Sequence, residues 1–166
     1  MNGWPSSAEP RLNSPRRASA DDIPAVARLL DRARQQIPLA DSFTLEHITL
    51  WLSRLQSPTH RVFVIEAGEE IAAATVLEEN EREAEVTYVV TSPDHQRQGH
   101  GRRLLQTAKH ELSTAEVLAA RVQPTNGPVI ALLASEGFVS DAELDERNWA
   151  LPGGWRWYSW RAAGNP

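Results

Sequence analysis

The chain is 166 residues long, 41% hydrophobic and 23% charged, with a formal charge of -5 and no cysteine. These values describe one globular domain with a core of ordinary size, and they exclude disulfides, zinc–thiolate sites and cysteine nucleophiles. No apolar run approaches the roughly 18 residues of a membrane span and there is no apolar signal core. A cytoplasmic protein is therefore expected, with neither membrane nor, given the negative charge, nucleic acid as a partner.

Residues 1–15 carry Pro5, Pro10 and Pro15 among Gly, Ser, Asn and Glu, a composition too polar to order itself, so a tail is expected there and a single domain over 16–166. Arg16-Arg17 is followed by Ala18, Ser19, Ala20, Asp21 and Asp22 rather than an apolar stretch, which excludes a twin-arginine signal. Asp21 and Asp22 are candidate caps of a helix that admits Pro24 in its first turn, places Ile23, Val26, Leu30 and Ala33 on one face, and runs to about Gln36. Ile37-Pro38 marks a break. A second helix follows from Leu45, Ile48, Leu52 and Leu55, with Asp41 and Ser42 before it and Ser57-Pro58 as its stop.

From Arg61 the period changes. Val62 to Ile65 and Ile71 to Leu77 read as two strands turning at Gly68. Glu78 to Glu83 reads as a polar turn, and Val86, Tyr88 and Val90 alternate with Thr87, Val89 and Thr91 in a third strand. Pro93 ends it, Gln96 to Gly101 forms a loop, and Leu104, Leu105, Ala108 and Leu112 line a helix. Val117 to Val122 is a strand, Gln123 to Gly127 a turn, and Pro128 opens a helix that stops at Gly137. Phe138-Val139 and Trp155 to Trp160 complete a mixed α/β sheet, with Trp155 and Trp157 on one face of the last strand and Tyr158 and Trp160 on the other.

The loop carries the chemistry. Gly99 and Gly101 sit where a strand passes into a helix, so the first turn of that helix offers free amides to an anion. Glycine lets a pyrophosphate approach the main chain, and Arg97, Arg102 and Arg103 are placed to neutralise it. A dinucleotide fingerprint would need Gly or Ala where Leu104 stands, and no Lys-Ser or Lys-Thr pair follows for a triphosphate loop.

Gln96, Gly99 and Gly101 match the GNAT signature of Gln or Arg, two residues, Gly, one residue, then Gly or Ala. The chain resembles that superfamily of acyl-CoA-dependent N-acetyltransferases. The likeness runs from Arg17-Ala18 through Asp22-Ile23-Pro24-Ala25-Val26 to the final aromatic strand, and it implies an α/β fold with a mixed, mostly antiparallel sheet flanked by about four helices. It also implies acetyl-CoA as cosubstrate, the amides of Val89 and Thr91 on its pantetheine arm, and the segment Arg97, Gln98, Gly99, His100, Gly101 and Arg102 on its pyrophosphate. Asn126 is implied as a further cofactor contact, although Asn suits a helix cap equally well. The expected acceptor is an amine of a small molecule or peptide, attacked directly in a ternary complex, and a homodimer is the family-level expectation. A non-catalytic acyl-CoA sensor and a protein N-acetyltransferase are the alternatives.

An alkylammonium acceptor with a pKa of about 10.4 must lose a proton before it attacks. The segment Ala84-Glu85-Val86-Thr87-Tyr88 resembles the histone-acetylating branch of the superfamily, which implies Glu85 as general base. The competing assignment is one more solvated acid among Glu78, Glu79, Glu81 and Glu83. Many members carry a Tyr acid four residues before the Gly-Phe pair; here that position is Leu133, leaving Tyr88, Tyr158, water, or departure of the thiolate unprotonated, since a thiol pKa is near 8.5. The five histidines form no metal spacing, and His95 and His100 read as solvated loop residues. The C-terminal aromatics and Trp51 divide between core packing and an acceptor pocket, and no Gly-x-Ser-x-Gly elbow supports a serine hydrolase.

Overall fold

A computed structural model describes residues 14–35, 44–54, 57–147 and 154–162. The expected tail over 1–15 lies almost wholly outside them, as do Ile37-Pro38, Asp41, Ser42 and Leu55. The chain opens with β1 (Arg16–Arg17), a strand too short to show a period, then a 3-10 turn (Ala20–Asp22) that leads into α1 (Ile23–Gln35). The start of α1 is organised differently from the expected Asp caps. The Ser19 N–H donates to Asp22 Oδ2 at 2.7 Å, and Arg16 donates to both Asp22 oxygens at 2.7 and 2.9 Å. The Arg16 guanidinium holds the Asp22 carboxyl well below its usual range. In α2 (Leu45–Arg54), Thr44 Oγ1 accepts the His47 N–H at 3.3 Å and closes the first turn.

The strands β2 (His60–Ala67), β3 (Glu70–Glu79) and β4 (Glu83–Thr91) form an antiparallel meander. The route to β5 (Val117–Val122) passes through a 3-10 turn (Pro93–His95) and α3 (His100–His110), and this crossover makes β4 and β5 the one parallel pair among the described strands. Then come α4 (Gly127–Ser135), β6 (Val139–Ser140), α5 (Ala142–Arg147) and β7 (Arg156–Arg161). The sheet has seven strands in the order β1-β2-β3-β4-β5-β7-β6. Helix α5 went unread in the sequence because it is short and mostly charged. Its cap was there to find: Asp141 Oδ1 accepts the Leu144 N–H at 3.0 Å.

Helices α1 and α2 cover one face, burying Val26, Leu30, Ile48 and Leu52 against Val62, Val64, Val76 and Val90. Helices α3 and α4 cover the other, with Leu104, Leu105 and Leu133 on Ile65, Leu77, Val86 and Leu118. Each such buried side chain contributes about 1.5–3 kcal/mol. Val86 and Val90 therefore face opposite sides, against the expected alternation. The register steps from Val76↔Tyr88 to Leu77↔Val86, leaving Thr87 as an extra residue. This bulge turns Val86 to α3 while Tyr88 and Val90 face α1 and α2.

The expected turn over Glu78 to Glu83 is tighter than its composition suggests. Asn80 Oδ1 accepts the N–H groups of Arg82 and Glu83 at 3.1 and 2.9 Å, so strand structure extends to Glu79 on one side and from Glu83 on the other. Glu79 is no solvated acid. Only 7% exposed, it pairs with Arg61 and accepts the amides of Ser113, Thr114 and Ala115 at 2.8–3.0 Å. Burial pushes its carboxyl up, but the Ala115, Thr114 and Ser113 donors outweigh this and bring it from 4.5 down to about 2.

Candidate active site

Strands β4 and β5 pair only from Glu83↔Val117 to Val86↔Ala120. Beyond Val86 the two separate, and the edge of Val89 to Thr91 turned away from β3 has no neighbour among the described strands. A groove of about 900 Å³ opens at this split, bounded by Val89, Val90 and Thr91, by the loop before α3, by Asn126, Pro128, Val129 and Leu132 of the α4 region, and by Ala33 of α1. It brings together nearly every residue the sequence assigned to the cofactor, namely Val89, Thr91, Gln96, Arg97, Gly99, His100, Gly101, Arg102 and Asn126, with Gln98 alone outside the lining.

The loop geometry separates the roles of its residues. Gly99 has φ +77 with open space where a Cβ would be, so its conformation demands glycine while leaving room for a ligand. Gly101 answers a different need: a Cβ there would lie 2.9 Å from Leu132 Cδ2, so its missing side chain lets α3 approach α4. No side chain caps α3, which leaves its first-turn amides for a ligand. Arg97 has φ 61, lines the groove and has no ion pair among the described residues. Arg102 is joined to Glu136 at 2.9 Å. Arg103, expected to neutralise phosphate, instead turns inward to His100 Nδ1 at 2.9 Å.

His100 is a correction to the solvated reading, being 3% exposed. With Nδ1 facing the Arg103 donor, the proton of the neutral ring sits on Nε2, which has no partner among the described residues although the residue borders the groove. Burial, then Arg103 and His95, push its pKa below 6.5 and keep it neutral. Asn126 caps α4, its Oδ1 accepting the Val129 N–H at 3.4 Å, and the residue also lines the groove.

Glu85 lies one residue before the end of the parallel pairing, on the face toward α2 and α5. Its Oε1 accepts from Arg121 Nε at 2.7 Å. Burial raises its pKa from 4.5, opposed by Arg121 and helped by Glu78 across the ladder. Sequence reasoning missed Arg121, although a lone charge in the apolar strand Val117–Val122 was a signal that a partner waits beside it. Tyr88 shares the face, packing edge-on to Trp51 with centroids 5.6 Å apart, and burial raises its pKa so that it stays protonated. Leu133 is 1% exposed in the core and offers no acid. Tyr158 packs against the α3 and α4 side, away from Glu85.

This arrangement, a split parallel pair with an uncapped helix at its mouth, defines the class. The acetyltransferase (GNAT) family model matches residues 24–138, more than half of the chain, and the chain belongs to that family. Solved structures share the fold. An acetyltransferase from Thermus thermophilus superposes with a TM-score of 0.70 at 22% identity, covering 91% of this chain and 99% of that one. The ribosomal-protein-S18-alanine N-acetyltransferase from Escherichia coli gives 0.70 at 20% identity, with 93% and 97% covered. A structure from Salmonella typhimurium, described as an acetyltransferase with its cofactor acetyl-CoA, gives 0.70 at 18%, with 92% and 97% covered. No curated protein matches by sequence.

Proposed function

We propose that the protein transfers the acetyl group of acetyl-CoA to the amine of a small molecule or peptide in a ternary complex. The observation that carries this is the continuity of the open β4 edge at Val89 to Thr91 with the uncapped start of α3 in one groove. Unpaired strand edge suits the amides of a pantetheine arm, while helix amides and Arg97, which has no ion pair among the described residues, suit a pyrophosphate.

Acetyl-CoA supplies an acyl carbon whose bond to sulfur breaks as the bond to the amine nitrogen forms. Glu85 takes the first proton from the acceptor ammonium. Its raised pKa makes it a better base than an ordinary carboxylate, and Arg121 keeps it ionised and oriented. The second amine proton leaves with the thiolate by way of Tyr88 or water, because Leu133 provides nothing. Leu133 also favours a second reading, acyl-CoA binding without transfer. Titration calorimetry with acetyl-CoA, run beside thiol release over a panel of amines and peptides, separates the two. The central reading fails if acetyl-CoA does not bind, or if Gly99→Val binds it as tightly as the parent.

A further inference from the structure

On the α2 and α5 face, four strands set Glu78, Glu85, Arg121 and Trp157 in a row. Glu78 stands opposite Glu85 across β3 and β4, and Arg121 opposite Trp157 across β5 and β7. Arg121 joins the two pairs, since its Nε donates to Glu85 Oε1 at 2.7 Å and its guanidinium lies 5.3 Å from the centre of the Trp157 ring. Its own position is a weak one. The pairing of β5 with β4 ends at Val86↔Ala120, so Arg121 is the first residue beyond it, and its side chain is 35% exposed. A long side chain there gives up rotamer freedom to keep a single bond to a carboxylate, and an exposed pair of this kind contributes little by itself.

Trp157 supplies what the pair lacks. It is 7% exposed and packs with Ala119 and Leu144. Strand β6 reaches only Ser159 and Tyr158 of β7, yet Trp157 is fixed on that side too: its N–H donates to Asp145 Oδ1 at 2.8 Å and its carbonyl accepts the Asp141 N–H at 2.9 Å. An immobile indole face attracts the guanidinium and restricts its plane. Arg121 is held with Nε toward Glu85 Oε1, while Glu85 Oε2 has no hydrogen-bond donor among the described residues.

We propose that Trp157 is a positioning residue for the base: it holds Arg121 on Glu85 Oε1 and so leaves Oε2 as the oxygen that takes the acceptor's proton. This rests on the reading of Glu85 as base. The titratable and charged groups around Glu85 are His60 on β2, Glu78 and Glu79 on β3, Glu83 and Tyr88 on β4 and Arg121 on β5. Glu79 is engaged by Arg61 and Glu83 by Arg147. Arg121 is the cation that opposes burial and Glu78, so loosening it lets the Glu85 pKa rise further and moves the acid limb of the rate profile up.

The test reads Glu85 directly, by NMR titration of its carboxyl, beside the pH dependence of kcat/KM for the amine that releases most thiol in the panel. Trp157→Leu, which stays apolar but removes the ring face, is expected to raise the carboxyl pKa by roughly 0.3–0.7 pH units and to carry the acid limb with it. Trp157→Phe, which keeps an aromatic face, should move both less, and acetyl-CoA affinity should be unchanged in either variant. In Arg121→Gln the titration is already raised, and adding Trp157→Leu should move it no further, whereas a role in packing alone would act alike in both backgrounds. NMR relaxation at Arg121 Nε in the parent needs no variant: an order parameter near about 0.85 is expected, and one below about 0.6 overturns the proposal. An unmoved carboxyl in Trp157→Leu, or an equal shift with and without Arg121, also overturns it and leaves Glu85 as base. A carboxyl that moves while the acid limb does not follow overturns the reading of Glu85 as base, and the proposal with it.

Discussion

The two ends of β4 are built for opposite purposes. At the Glu83 end the strand is enclosed by β3 and β5, and beside it Glu79 joins Arg61 to three amides of the segment before β5. At the Thr91 end the strand keeps β3 but loses β5, and the freed edge faces a groove. By residue type the open end, Val89 to Thr91, is the more β-forming of the two, so propensity does not explain its missing partner. What differs is whether a long-range partner reaches the backbone, so binding capacity here comes from pairing that is withheld, held open by a hairpin that is locked elsewhere.

The largest expected effect lies at the locked end. Glu79→Ala leaves Arg61 buried without its carboxylate and should destabilise the fold by about 3–5 kcal/mol in denaturant titration, the range for breaking a buried pair. Because Glu79 is lowered from 4.5 to about 2, its contribution is fully present above pH 4.5 and is lost as pH falls through about 2. The parent should therefore lose stability across that window, and Glu79→Gln should lose less. If both show the same acid dependence, Glu79 is not what locks the end.

At the open end, Glu85→Gln should lower kcat by about 10²-fold or more with acetyl-CoA affinity retained. Glu85 acts when ionised, so the acid limb of the parent pH–rate profile should lie above 4.5, the ordinary value, and vanish in the variant. Arg121→Gln should move that limb further up, since Arg121 opposes the rise. Leu133→Tyr would restore the family's usual residue, but the side chain is 1% exposed in a packed core. It should cost about 1–3 kcal/mol of stability without raising kcat, and a faster enzyme would show that the groove reaches that position. Arg97→Ala should weaken acetyl-CoA binding about two- to fivefold, less at high salt, because an exposed pairing is worth at most about 1 kcal/mol.

The open end was the more legible of the two in sequence. Glycines at 99 and 101 between a strand and a helix are local signals, and the groove gathers the residues those signals assigned. A further reason for Gly101 was out of reach, because contact with Leu132 on α4 depends on tertiary packing that no local motif carries. Glu79 could not be separated from Glu78 or Glu81, since the amides that bury it come from residues 113–115. His100 was misjudged for the same cause: a histidine in a polar loop gives no sign that Arg103 and the groove wall will enclose it. Arg16–Arg17 has no apolar period at all and becomes a strand only by pairing with Phe63 and Val64.

The extra residue at Thr87 has an evolutionary consequence. Everything from Tyr88 to Thr91 owes its orientation to that one inserted unit, so an in-frame loss of a single codon there would exchange inside for outside at all of those positions together. Drift can adjust the neighbouring side chains one at a time, whereas the length of this segment admits no intermediate.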